Sequence, residues 1–140
     1  MPELDTITIK GFKSIASIED LKLGPINVLI GPNGSGKSNF VGVFSFLHAI
    51  REGQLHDYVI RAGGADRILH FGSKVTQAIE LHIVFREQVN QYKITLEATG
   101  TDQLYPEAEI AHRNSVLPSS WWTSPNLDCT RMRSHCSHPL

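Results

Sequence analysis

The sequence predicts an α+β fold in which a mixed sheet surrounds one main helix and an antiparallel β-meander follows. Three observations carry this expectation. A short, nearly continuous apolar run, Ile26-Asn27-Val28-Leu29-Ile30, leads into the glycine-rich stretch Gly31-Pro32-Asn33-Gly34-Ser35-Gly36-Lys37-Ser38. The period then becomes helical, with Phe40, Val43, Phe44, Leu47 and Ile50 at helical spacing. From Thr76 it falls to two, where apolar Ile79, Leu81, Ile83 and Phe85 alternate with polar Glu80, His82 and Arg86.

In chain order, Leu4 to Lys10 forms the first predicted strand, because Ile7 and Ile9 alternate with Thr6, Thr8 and Lys10, and Gly11 ends it. A second strand near Ile18 to Leu23 stops at Gly24-Pro25. The apolar run at residues 26–30 suits a strand buried on both faces. In the helix that follows, Val41 and Phe46 put apolar surface on further faces, which predicts deep burial, and Gly53 is placed to cap its C-terminus. Residues 54–74 read as a connector with little regular structure beyond a short apolar piece at Ile68-Leu69. Tyr92, Ile94, Leu96 and Ala98 form the second arm of a hairpin across Glu87-Gln88-Val89-Asn90. A last strand from Leu104 to Ala111 belongs at a sheet edge, because Pro106 cannot donate to a ladder.

Composition narrows the classes. The chain has 140 residues, a 41% hydrophobic share and a net charge of −1, so it is one domain or part of one, able to form a core and without a global basic field. The start Met1-Pro2-Glu3-Leu4-Asp5 has no basic and apolar leader, and no apolar run approaches the ~20 residues that span a bilayer. The expectation is a soluble, cytoplasmic chain without a membrane partner, whose Cys129 and Cys136 are free thiols.

The glycine-rich stretch carries the chemistry. A phosphate chain is densely negative and needs donors on several sides. Gly31, Gly34 and Gly36 permit backbone shapes that a Cβ would forbid, so the loop can turn its N–H groups inward as an anion nest. The following helix aims its N-terminus at the same place. Lys37 supplies a full charge to the β- and γ-phosphates, and the Ser38 hydroxyl is a ligand for Mg²⁺. The nucleotide-binding set is therefore Gly31, Pro32, Asn33, Gly34, Ser35, Gly36, Lys37, Ser38 and Asn39, with ATP and Mg²⁺ as cofactors and Ser38 as the metal-binding residue.

At these residues the chain also resembles a family. The run 26–30 followed by GPNGSGKSNF is similar to the N-terminal start of SMC/RecF-type ABC ATPases, a group that includes chromosome-maintenance proteins, RecF repair proteins and OLD-type defence nucleases. Gly11-Phe12-Lys13-Ser14 is similar to a second element of that family, which lies near the nucleotide. The resemblance covers roughly residues 4–116. It implies a partial P-loop NTPase head of the ABC/SMC type, with Lys13 close to bound nucleotide; read on its own, Lys13 is equally well a solvated turn lysine. Phe12 reads as core. The resemblance further implies ATP hydrolysis, head-to-head dimers and nucleic acid as a partner of complete members.

The family's later catalytic parts do not appear. No four-residue apolar run precedes an Asp-Glu pair, Glu19-Asp20 lacks that context, and Gln54 and Gln77 are weak candidates for a glutamine loop. No catalytic residue is assigned. An N-K-x-D element that would read guanine is absent too, which disfavours a self-contained small GTPase. Cys129, His135, Cys136 and His138 offer zinc-type ligands, but six residues separate the two cysteines, unlike the usual short spacing. Residues 117–140 hold both tryptophans, Trp121 and Trp122, and have neither period; they read as an irregular tail outside the evolved fold of residues 1–116. The two readings are an ATP-binding half-site of an SMC/RecF-like AAA family ATPase, and a truncated or frameshifted fragment without catalytic activity.

Overall fold

The computed structural model describes residues 4–85 and 90–113. Five strands, β1 (Leu4–Phe12), β2 (Ile15–Lys22), β3 (Ala78–Phe85), β4 (Asn90–Ala98) and β5 (Leu104–Arg113), form one sheet in the order β2-β1-β3-β4-β5. Every neighbouring pair is antiparallel. Two helices, α1 (Lys37–Arg51) and α2 (Leu55–Ala62), and a 3₁₀ turn at Ala65–Arg67 lie in the chain between β2 and β3.

Alternation decides which face of the sheet is covered. Ile7 and Ile9 of β1, Ile79 and Leu81 of β3, and Ile94 and Leu96 of β4 are buried in one cluster with Phe40, Val43 and Phe46 of α1 and Val59 of α2. Phe12 lies 5.2 Å from Phe46, ring centre to ring centre, and Phe46 lies 5.1 Å from Tyr58, so aromatic contacts join β1 to α1 and α1 to α2. The intervening residues carry polar contacts: Lys10 pairs with Glu19 at 2.7 Å, and Thr8 bonds Asp20. Glu19 is held below the usual carboxylate range by the hydrogen bond and charge of Lys10.

The strands of the hairpin and the edge strand form where their period predicts. Pro106 pairs with Leu96 next to a shift of register on the outermost strand, β5, where its missing N–H interrupts only one ladder. Gly53 follows the C-terminus of α1, and its N–H bonds the Ile50 carbonyl. β1 runs through Gly11 to Phe12, and β2 begins earlier than its pattern indicates, at Ile15.

Four expectations are corrected. The sheet is antiparallel throughout among the described residues, not mixed, because the strand that follows the helices, β3, returns antiparallel to β1. The expected strand at residues 26–30 joins no ladder; Ile26 and Ile30 are 86% and 92% exposed. An apolar run becomes a buried strand only if neighbours flank it, and none of the five described strands does. The helix α1 is buried along Phe40, Val43, Phe46 and Ala49, while Val41 and Phe44 stay exposed. The connector also contains a helix that was not expected. In α2, Leu55, Tyr58, Val59 and Ala62 fall at i, i+3, i+4 and i+7, and only Val59 is fully covered. The tail at 117–140, with its cysteines, histidines and tryptophans, lies outside the described residues, and no described helix is long and apolar enough to cross a membrane.

The loop after α2 is locked to the β4–β5 connection. Asp102 accepts a hydrogen bond from the Asp66 N–H at 2.9 Å on its side chain, and one from the Ala65 N–H at 3.1 Å on its carbonyl. The close approach requires Gly64, where φ is +102° and an added Cβ would fall 1.8 Å from the Asp102 carboxylate. Gly64→Ala should therefore lower stability by at least about 2 kcal/mol, combining a disfavoured backbone region with a clash. Gly42, inside α1 with open space around it, gives the opposite expectation: Gly42→Ala should raise stability by about 0.5–1 kcal/mol. Chemical denaturation of the two variants beside the parent chain checks both signs.

Candidate functional site

The loop at residues 31–38 begins where the unpaired segment ends and finishes in the first turn of α1. Gly34 and Gly36 have φ of +83° and +92°, the left-handed region in which a side chain is disfavoured. Gly31 is required for another reason: a Cβ there would come within 2.9 Å of the Ser35 hydroxyl. Gly36 is the N-cap of α1 and makes no side-chain cap bond, and no acidic residue lies in the first turn. The backbone N–H groups that open a helix have no partners inside it, and their partial positive charge favours an anion.

The Lys37 ammonium is folded back into the loop. It donates to the Gly31 carbonyl at 2.7 Å, the Pro32 carbonyl at 2.6 Å and the Ser35 hydroxyl at 3.2 Å. The ammonium thus satisfies its donors on the loop's own oxygens. Ser38 is exposed at the start of the helix, and Asn39, half-buried, donates from Nδ2 to the Ser14 hydroxyl at 2.7 Å.

That last contact brings in the turn between β1 and β2. Lys13 sits there at φ +49°, half-buried, its N–H bonded to the Ile68 carbonyl at 2.7 Å and its ammonium 5.5 Å from the centre of the Phe12 ring. The histidine two residues after Ile68 answers from the other side. His70 Nδ1 donates to the Lys13 carbonyl at 2.7 Å, and the His70 N–H bonds the Gly11 carbonyl at 3.0 Å. Lys13, Asn39, Asp66, Arg67 and Phe71 line an open cleft of about 650 Å³ beside the start of α1. Asp66 is held below the usual carboxylate range by its hydrogen bond from Ser73.

All the residues expected to bind nucleotide therefore lie in one stretch of loop and helix start, and Lys13 reaches it through Ser14 and Asn39. Sequence reasoning passed over Asp66, Arg67 and Phe71. A lone aromatic in a glycine-rich connector has no period to mark it, and the pair Gly63-Gly64 obscured the order around it.

Comparison with known proteins identifies the family. The family described as "AAA domain, putative AbiEii toxin, Type IV TA system" matches residues 26–132. The chromosome partition protein Smc of Mycolicibacterium paratuberculosis is 39% identical over 84 residues, which is 55% of this chain and 7% of that protein. Its counterpart in Mycobacterium leprae is 33% identical over 104 residues, 74% of this chain and 8% of that protein. An uncharacterized protein of Methanocaldococcus jannaschii is 25% identical over 144 residues, covering 97% of this chain and 61% of its own length. The chain thus spans under a tenth of the length of the Smc relatives it matches. No solved structure matches. The chain belongs to the AAA domain family of P-loop ATPases, and its N-terminal region is Smc-like.

Proposed function

We propose that this chain binds ATP through residues 31–39, as the N-terminal half-site of an SMC/RecF-like ATPase head. The observation that carries the reading is the loop itself: left-handed Gly34 and Gly36 lead into an uncapped helix N-terminus, with Lys37 as its first residue. Incoming phosphates replace the Gly31 and Pro32 carbonyls and the Ser35 hydroxyl as partners of the Lys37 ammonium. Backbone N–H groups from Asn33 onward and the first turn of α1 supply the remaining donors. Asn39, already bonded to Ser14, holds the Lys13 turn against the loop.

Mg²⁺ fits the donor set as a shared ion. Ser38 offers one exposed hydroxyl, and Mg²⁺ commonly takes one or two protein oxygens and completes its shell with phosphate oxygens and water. Bound there, it neutralises phosphate charge. In complete relatives two such heads would close on one another around ATP and act on nucleic acid in the cytoplasm; both statements extend the reading beyond this chain. The irregular tail from residue 117 is proposed to lie outside the nucleotide-binding unit.

Equilibrium binding of a fluorescent ATP analogue tests the assignment. Lys37→Ala should weaken binding by about ten-fold or more, the worth of a charged hydrogen bond. Equal affinities would remove the basis for the reading. Ser38→Ala should weaken binding in Mg²⁺ and leave Mg²⁺-free binding nearly unchanged.

Hydrolysis is a separate matter. The loop binds phosphate, but attack by water also needs a group to orient the nucleophile and stabilise developing charge. The sequence provides no Asp-Glu pair after an apolar strand for that role. Phosphate release at saturating Mg-ATP should accordingly stay below the ~1 s⁻¹ at which ordinary enzyme turnover begins. Faster turnover that disappears in Lys37→Ala would mean that the chain holds a catalytic group not identified above.

A further inference from the structure

We infer that the cleft beside α1 receives the nucleoside end of a purine nucleotide, and that Phe71 is the surface on which the base stacks. The inference rests on the phosphate-binding reading of residues 31–39 and assigns the other half of the same ligand.

The cleft has suitable size and position. Its volume of about 650 Å³ is in the range of small-ligand sites. Asn39 lines it and stands one residue beyond Ser38 in the first turn of α1, so the cleft adjoins the loop on which the phosphates are proposed to lie. The walls combine one aromatic ring with Lys13, Arg67 and Asp66. That lining suits a flat, polar-edged ring attached to an anion better than it suits an aliphatic chain.

Phe71 is the least expected residue of the wall. Its side chain is bulky and apolar, yet 78% exposed, and its φ is +57°. A bulky residue in this region is an outlier. Neither feature helps the core. Both follow from how firmly the loop is tied: the His70 N–H to the Gly11 carbonyl, the Gly72 N–H to the Leu69 carbonyl at 3.2 Å, and the Ser73 N–H to Asp66 at 2.8 Å. The ring itself is braced. His70 packs 4.3 Å from it, centre to centre, and is fixed in turn by its bond to the Lys13 carbonyl. An exposed aromatic at the wall of a cleft, carried on a backbone tied by these bonds, offers a face on which a base can stack.

Stacking is tolerant of base identity, because every base has a π-face. The platform therefore favours large ring systems over small ones without distinguishing adenine from guanine by hydrogen bonds.

The experiment compares ATP, GTP, CTP and inorganic tripolyphosphate, each with Mg²⁺, by calorimetry on the full chain and on Phe71→Ala, Phe71→Trp and Lys37→Ala. Phe71 is exposed, so its variants should fold, which circular dichroism verifies. Phe71→Ala should weaken ATP and GTP about ten-fold, shrink the margin of purines over CTP and leave tripolyphosphate unchanged. Phe71→Trp should restore purine binding. Lys37→Ala should weaken all four ligands. Unchanged ATP affinity in Phe71→Ala overturns the inference, as does an equal loss for ATP and tripolyphosphate, which would show the ring acting through the loop and not on the base. If Lys37→Ala leaves tripolyphosphate binding intact while Phe71→Ala still weakens ATP selectively, the cleft assignment stands and the phosphate assignment falls.

Discussion

The turn that joins β1 to β2 is bonded on both sides, and the site takes its shape from that double attachment. On one side the Lys13 N–H reaches the Ile68 carbonyl, and His70 returns bonds to the Gly11 and Lys13 carbonyls. On the other, the Ser14 hydroxyl accepts from Asn39 at the start of α1. Phe12, between them, lies against Phe46 in the core and bridges to Leu69. A few residues thus connect the sheet, the glycine-rich loop and the cleft wall. The apolar contact fixes the depth of the turn, and the hydrogen bonds fix its direction.

The second brace is Asp102, which reaches across from the β4–β5 connection to hold the 3₁₀ turn through Ala65 and Asp66. The Asp66 carboxylate in turn accepts a hydrogen bond from the Ser73 N–H and closes the loop that carries Phe71. The meander, far along the chain, consequently shapes the cleft. Residues 64–73 keep their form because contacts from two distant segments agree on it, which is how a short loop can hold several left-handed residues at once.

Periodicity explains what could be read beforehand. Ile7 and Ile9, then Ile79 and Leu81, then Ile94 and Leu96 alternate cleanly because one sheet face is covered and the other meets water. The glycine-rich loop was legible as a motif because the spacing of Gly31, Gly34, Gly36 and Lys37 reflects local backbone geometry. Residues 26–30 misled because an apolar run reports what a segment could bury, not whether neighbours are present to bury it. The short helix α2 was hidden by the adjacent glycines, although Leu55, Tyr58, Val59 and Ala62 carry its stripe. The placement of Phe71 was illegible in principle: it comes with a positive φ and with His70 packed beside the ring, and neither is written in a pattern of residue types.

The folded-back Lys37 bears on how any substitution there is to be interpreted. The Lys37 ammonium ties together Gly31, Pro32 and Ser35 and so holds the backbone in a curved form. On the proposed reading, removing the side chain would delete both an attraction to phosphate and this internal cross-brace. The difference in affinity would then be the gap between two losses, and it would understate the attraction between lysine and phosphate by whatever the brace contributes. On the proposed reading, the Gly31 and Pro32 carbonyls and the Ser35 hydroxyl occupy the donors of Lys37 that phosphate oxygens would take.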